Sequence, residues 1–90
     1  MRESEIEKKC SQLSKNAGFI TYKFVSPNNK AVPDRIFIKG GNVLFVEFKQ
    51  KGKEPTKLQY KVISEMCLAG AKVFVIDDIA SFKNLISYYN

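Results

Sequence analysis

Asp34, Glu47 and Lys49 are the residues whose types and spacing could do chemistry in this chain. Asp34 opens the run Asp34-Arg35-Ile36-Phe37-Ile38-Lys39, and Glu47 and Lys49 close the run Val43-Leu44-Phe45-Val46-Glu47-Phe48-Lys49, with Gly40-Gly41-Asn42 between them. If Gly40-Gly41 forms a two-residue turn, each cross-strand pair sums to the same number, so Ile38 faces Val43, Ile36 faces Phe45 and Asp34 faces Glu47. Opposed residues hold their Cβ atoms about 4.5–5.5 Å apart. Two carboxylates at that range repel unless a proton or a cation lies between them, and a divalent metal ion is the economical occupant. Lys49 points to the same side as Glu47, one pleat further on. The plainer alternative is a surface turn aspartate and a solvated strand-end glutamate.

Those two strands need a body to hold them. Ninety residues with 44% hydrophobic content predict one compact domain over 1–90, small enough that only about 60–65% of the unfolded chain's surface would be buried and dimerisation would help. The net charge of +6 comes from 15 Lys and Arg against 9 Asp and Glu, and basic residues crowd the segment Lys49, Lys51, Lys53, Lys57, Lys61. That balance predicts a polyanionic partner. The chain has no histidine, which excludes Ser-His-Asp and Cys-His catalysis and His-ligated zinc while leaving carboxylate chemistry on a hard metal. Cys10 and Cys67 lack a Cys-x-x-Cys spacing and read as reduced core thiols. No run approaches the ~18–20 apolar residues of a membrane span, and Met1-Arg2-Glu3-Ser4-Glu5 is not signal-like, so a cytoplasmic, non-secreted protein is expected.

The hydrophobic periodicity predicts a first helix from Glu3 to Ala17 on Ile6, Cys10, Leu13 and Ala17, stopped by Gly18. Phe19 to Val25 reads as a strand, broken by Ser26-Pro27-Asn28-Asn29-Lys30. After the hairpin, Thr56-x-x-Gln59 resembles a capping box that opens a helix to about Leu68, closed by Gly70. Lys72 to Asp77 suits a buried strand, and Asp78 can cap a last helix carrying Phe82, Leu85 and Ile86. The order is αβββαβα, an α/β fold with a mixed sheet whose fourth strand adds parallel through a crossover. Phe82, Leu85, Tyr88 and Tyr89 make the last helix apolar enough to be either core or a dimer surface.

With Pro33-Asp34 as one half of a motif and Glu47-Phe48-Lys49 as the other, the chain resembles the PD-(D/E)XK nuclease superfamily. Within it, Val32-Pro33-Asp34-Arg35-Ile36-Phe37, Phe45-Val46-Glu47-Phe48-Lys49, Leu58-Gln59 and Gly70-Ala71-Lys72-Val73 are most similar to the virus-type replication-repair nuclease (VRR-NUC) domains of phages and viruses. The resemblance implies a restriction-endonuclease-like αβββαβ(α) core and a metal-dependent, structure-selective DNA endonuclease. A homodimer resolving Holliday junctions is implied, in the cytoplasm of a phage or bacterial host cell. The alternatives are a nuclease on flapped, nicked or duplex DNA, or an inactive DNA-binding module.

By the same resemblance, Asp34, Glu47 and the Phe48 carbonyl would bind Mg²⁺ or Mn²⁺, an all-oxygen shell suited to a hard cation. Lys49 would orient or deprotonate the attacking water or stabilise charge on the phosphoryl oxygens. Gln59 would cap its helix, touch a metal-bound water or phosphate, or both. The family also places a glutamate on the first helix, here Glu3, Glu5 or Glu7. At 100° per residue the apolar direction of that helix lies about 50° from Glu3, 90° from Glu7 and 110° from Glu5, which favours Glu3, then Glu7. Arg35, Lys51, Lys53 and Lys57 are the expected phosphate contacts, giving sequence-independent, salt-sensitive affinity, with ordinary solvation as the alternative for each.

Overall fold

A computed structural model describes all 90 residues. The elements are α1 (Glu3–Asn16), β1 (Ile20–Lys23), β2 (Arg35–Lys39), β3 (Asn42–Phe48), α2 (Lys57–Leu68), β4 (Lys72–Ile76) and α3 (Ile79–Tyr88). The strands form one sheet in the order β1-β2-β3-β4, antiparallel except for the parallel pair β3/β4. The expected αβββαβα order and mixed sheet are therefore present.

The hairpin register is the one that the Gly40-Gly41 turn demands: Lys39 pairs with Asn42, Ile38 with Val43 and Ile36 with Phe45. Gly40 at φ +57° and Gly41 at φ +82° both occupy the left-handed region, as a turn matching the right-handed twist of its strands requires. Alternation then splits the sheet into two faces. Phe37, Leu44, Val46 and Phe48 are fully buried on one of them, beneath α1 and α3, where Phe82 places its ring 5.1 Å from Phe37 and 6.2 Å from Phe48. α1 contributes Ile6 and Cys10, and α3 contributes Phe82 and Ile86. α2 packs against β4, and its Gln59 reaches Glu47, whose side chain leaves the face opposite Phe48.

Two expectations change. β4 is an edge strand in which only Ile76 is buried, because the sheet order ends with it and no further strand covers its outer side. Cys67 is exposed, whereas Cys10 is buried. Val62 is the one buried residue of α2, so that helix lies over the sheet edge with Cys67 on its solvent side. Burial pushes the Cys10 thiol up to about 12, with Asp78 adding to the effect, so it behaves as a packing group. The apolar stripe of α3 is core: Phe82 and Ile86 are buried, Leu85 and Tyr89 pack against them, and Tyr88 alone of the group stands in solvent. No helix is long and apolar enough to cross a membrane.

Phe37 sits between the rings of Phe48 and Phe82 with no exposure. Phe37→Ala is expected to cost ~3–5 kcal/mol, enough to approach the whole stability of a domain this small. Leu68→Ala, at a position 90% exposed, should stay within ~0.5 kcal/mol of wild type when both variants are unfolded in urea.

Candidate active site

The register that pairs Ile36 with Phe45 brings Asp34 and Glu47 opposite each other just beyond the last paired residues of β2. The Asp34 carboxylate accepts the Phe48 backbone N–H at 2.8 Å. Phe48 stands opposite Pro33, which has no N–H to return, so the Phe48 carbonyl receives no ladder hydrogen bond from that strand. A residue's N–H and C=O leave a strand on the same side, so this carbonyl opens toward the gap that Asp34 occupies.

Glu47 is only 2% exposed. Its Oε2 accepts from Gln59 Nε2 at 3.0 Å and lies 3.5 Å from Lys49 Nζ. Glu3, at the start of α1, supplies a third acid: carboxylate oxygens of Glu3, Asp34 and Glu47 all lie within 4.8 Å of one another. The acid favoured by helical angle is thus the one brought to the pair. Glu7 is held elsewhere, accepting Lys23 Nζ at 2.7 Å and Arg35 Nε at 2.8 Å. Glu5 reaches back to the backbone N–H of Arg2.

Electrostatics make the cluster short of positive charge. The Glu47 carboxyl is pushed up to about 7, first by burial and then by the Asp34 charge, with Glu3 adding; the charge and hydrogen bond of Lys49 act the other way. Asp34 is also raised, mainly by burial and to a lesser degree by Glu7, against the opposing pull of the Phe48 N–H, Lys23 and Lys49. Three carboxylates, with neither histidine nor thiolate among them, form a hard-oxygen donor set that fits a divalent cation.

Gln59 caps its helix, one of the alternatives that the sequence left open, and also reaches Glu47. Its Oε1 accepts the Thr56 N–H at 2.9 Å and its own N–H donates to Thr56 Oγ1 at 3.1 Å, closing a capping box. The remaining amide N–H₂ fixes Glu47. A helix cap therefore also holds the central carboxylate in place.

The expected cationic residues divide. Arg35 points to the α1 side of the sheet, onto Glu7 and Thr21, as strand alternation from Asp34 requires. Lys51 ties the basic loop to α3 through Asp78 at 2.7 Å, and Lys53 and Lys57 are exposed. Two lysines escaped the sequence reading. Lys23 and Lys30 line a groove of about 360 Å³ that includes Asp34, and Lys23 also borders a second hollow of about 390 Å³ running along α1 past Lys8 and Lys15. The available signal was the β1/β2 register, which sets Lys23 opposite Arg35, one residue from Asp34.

A mixed four-stranded sheet whose central hairpin gathers acids and a lysine at its open end, with helices on both faces, defines a restriction-endonuclease-like fold. A solved structure described as a VRR_NUC domain superposes with a TM-score of 0.88 at 23% identity, over 98% of this chain and 97% of that one. A second, a VRR_NUC domain protein, gives 0.80 at 19% identity over 99% and 88%. No family model matches the chain. Across 78 residues, 86% of this chain and 84% of the relative, it is 38% identical to "Putative nuclease p44" of Acyrthosiphon pisum secondary endosymbiont phage 1. By that relative and those folds, the chain belongs to the VRR-NUC family.

Because Glu47 holds its proton more tightly when folded than at its ordinary value near 4.5, the native state binds more protons than the unfolded one between there and about 7. Stability without metal therefore falls as pH rises through this window, by at most ~3 kcal/mol for a gap of that size. In EDTA, the melting temperature is expected to drop from pH 5 to pH 7.5. Glu47→Gln should flatten that slope, and millimolar Mg²⁺ should restore stability above pH 7. A wild-type slope that is flat or rising in calorimetry would contradict the placement of Glu47.

Proposed function

We propose that this protein is a metal-dependent DNA endonuclease that hydrolyses phosphodiester bonds, selects branched DNA such as a four-way junction, and works as a homodimer. The observation that carries this reading is the convergence of Glu3, Asp34 and Glu47, from three separate elements, beside Lys49. The similarity to a phage protein described as a nuclease supports it.

Glu3, Asp34, Glu47 and the Phe48 carbonyl would hold Mg²⁺ or Mn²⁺, which when bound acidifies water and offsets charge on the phosphate. Gln59 fixes one oxygen of Glu47. Lys49, 14% exposed and next to that carboxylate, can donate to a non-bridging phosphate oxygen or orient the attacking water at the edge of the cluster. Lys23 and Lys30 along the groove at Asp34, with exposed Lys53 and Lys57, supply the cationic track for a phosphate backbone. Cutting both strands of a two-fold junction requires two centres related by a two-fold axis, and a homodimer provides them. In this reading the protein acts in the cytoplasm of the host cell.

The test uses a labelled immobile four-way junction beside a matched linear duplex, each with Mg²⁺, Mn²⁺ or EDTA. Symmetric, metal-dependent nicks in the junction alone are expected, reduced ~100-fold or more by Lys49→Ala. Cutting of both substrates would replace junction selectivity with a broader nuclease on nicked, flapped or duplex DNA. Binding without cutting under every metal would leave a DNA-binding module.

Gln59 gives a second test, because its two functions separate. Gln59→Ala is expected to lower metal affinity or cleavage ~10–100-fold, as loss of a ligand's supporting hydrogen bond does. Thr56→Ala removes the hydroxyl half of the cap but keeps the backbone N–H that Gln59 grips, so it should cost ~1 kcal/mol of stability and leave cleavage near wild type. Equal losses of cleavage in the two variants would show that Gln59 serves the helix alone.

A further inference from the structure

The sheet is apolar on both faces, and helices cover only one of them fully. On the face opposite the core, the paired registers align Ile20 and Tyr22 of β1, Ile36 and Ile38 of β2, and Val43 and Phe45 of β3. α2 packs against β4 at the far edge, so the β1 side has no cover: Tyr22 is 60% exposed, Ile20 53% and Val43 41%. We propose that this face is where two copies of the chain meet, which rests on the homodimer of the reading above and names its interface.

Charge selects the occupant. None of the six residues is charged, so a nucleic acid finds no cation there and an acidic or basic peptide finds no counterpart. Two chains of net charge +6 repel wherever their lysines oppose each other. This face lets them approach with no like charges in register, and a two-fold axis matches it to itself.

Size agrees. Three strands ~4.8 Å apart and five residues of ~3.3 Å each make a face of ~14 by ~17 Å. That is the scale of the apolar centre of an interface burying ~800 Å² per partner, with α2 and the polar loop after β1 left to form its rim. Tyr22 and the tilted Phe24–Phe45 pair, 5.4 Å between centroids, are the aromatic anchors such a centre uses. Glu47 leaves the sheet from this same face, so each active centre borders the interface and the two are coupled by its symmetry.

The experiment is light scattering after size exclusion, and sedimentation over a dilution series, on the full chain and on Tyr22→Glu and Val43→Glu. The two positions lie on different strands, so a folding defect in one variant leaves the other informative, and far-UV circular dichroism checks each. Wild type is expected at twice its 10.2 kDa mass. The variants should be folded monomers or dimers weakened ~30-fold or more. A monomeric wild type, or folded variants that dimerise as wild type does, would overturn the assignment. Mass does not depend on catalysis, so an inactive protein that still dimerises through this face sinks the nuclease reading and keeps this one.

Discussion

The centre depends on one unfavourable juxtaposition, two carboxylates on neighbouring strands with Glu47 almost wholly out of water. Nothing local would hold them there. The hairpin does, because its register is set by burial elsewhere: a one-residue slip would turn Phe37, Leu44, Val46 and Phe48 out of the core. Burying four such side chains stabilises the register by ~6–12 kcal/mol, against ~3 kcal/mol for holding Glu47 charged at neutral pH. Hydrophobic packing thus wins, and the acids stay opposed whether or not a cation neutralises them.

Around that pair, hydrogen bonds decide which groups remain available. Pro33 withholds an N–H from the Phe48 carbonyl, while Asp34 takes the Phe48 N–H, so the end of the ladder is reorganised into one free acceptor and one fixed carboxylate. Arg35 and Lys23 bind Glu7 on the α1 side, which offsets the charge of a fourth acid that still adds a little repulsion at Asp34. Glu3, one turn earlier on the same helix, remains exposed and joins the pair. Arg35, the charged neighbour of Asp34, therefore shapes the centre without standing in it.

Much of this was legible in the sequence, and for a definite reason. A two-residue turn and strict alternation fix geometry by counting, so the Asp34–Glu47 opposition and the side of Lys49 followed from residue numbers. Helical angle separated Glu3 from Glu5 and Glu7 on the same logic. What counting could not reach was competition between partners. Arg35 was read as a phosphate contact because its charge was visible and Glu7, 28 residues away, was not. Lys51 was read as a phosphate contact on the same ground, and its ion pair with Asp78 was equally out of sight. Cys67 and β4 were read as buried because apolar composition does not reveal which strand ends the sheet. Lys23 and Lys30 were passed over because their nearness to Asp34 is created by strand pairing and a loop.

Only 17 of the 90 residues are buried in a chain that is 44% hydrophobic. A small domain cannot cover all its apolar side chains, so some exposure is expected and, scattered, would mean little. Part of it is scattered, as at Val25, Leu68 and Tyr88, but the regular alternation of β1 to β3 also sets Ile20, Tyr22 and Val43 together on one flat face, while the opposite face is completed by two helices and a shared aromatic cluster. The strand that ends in the buried acid is thus apolar on both sides, one side occupied within the chain. The same period of two that gathers the acids at the end of β3 lays the uncovered apolar surface along its length, so both depend on a single register.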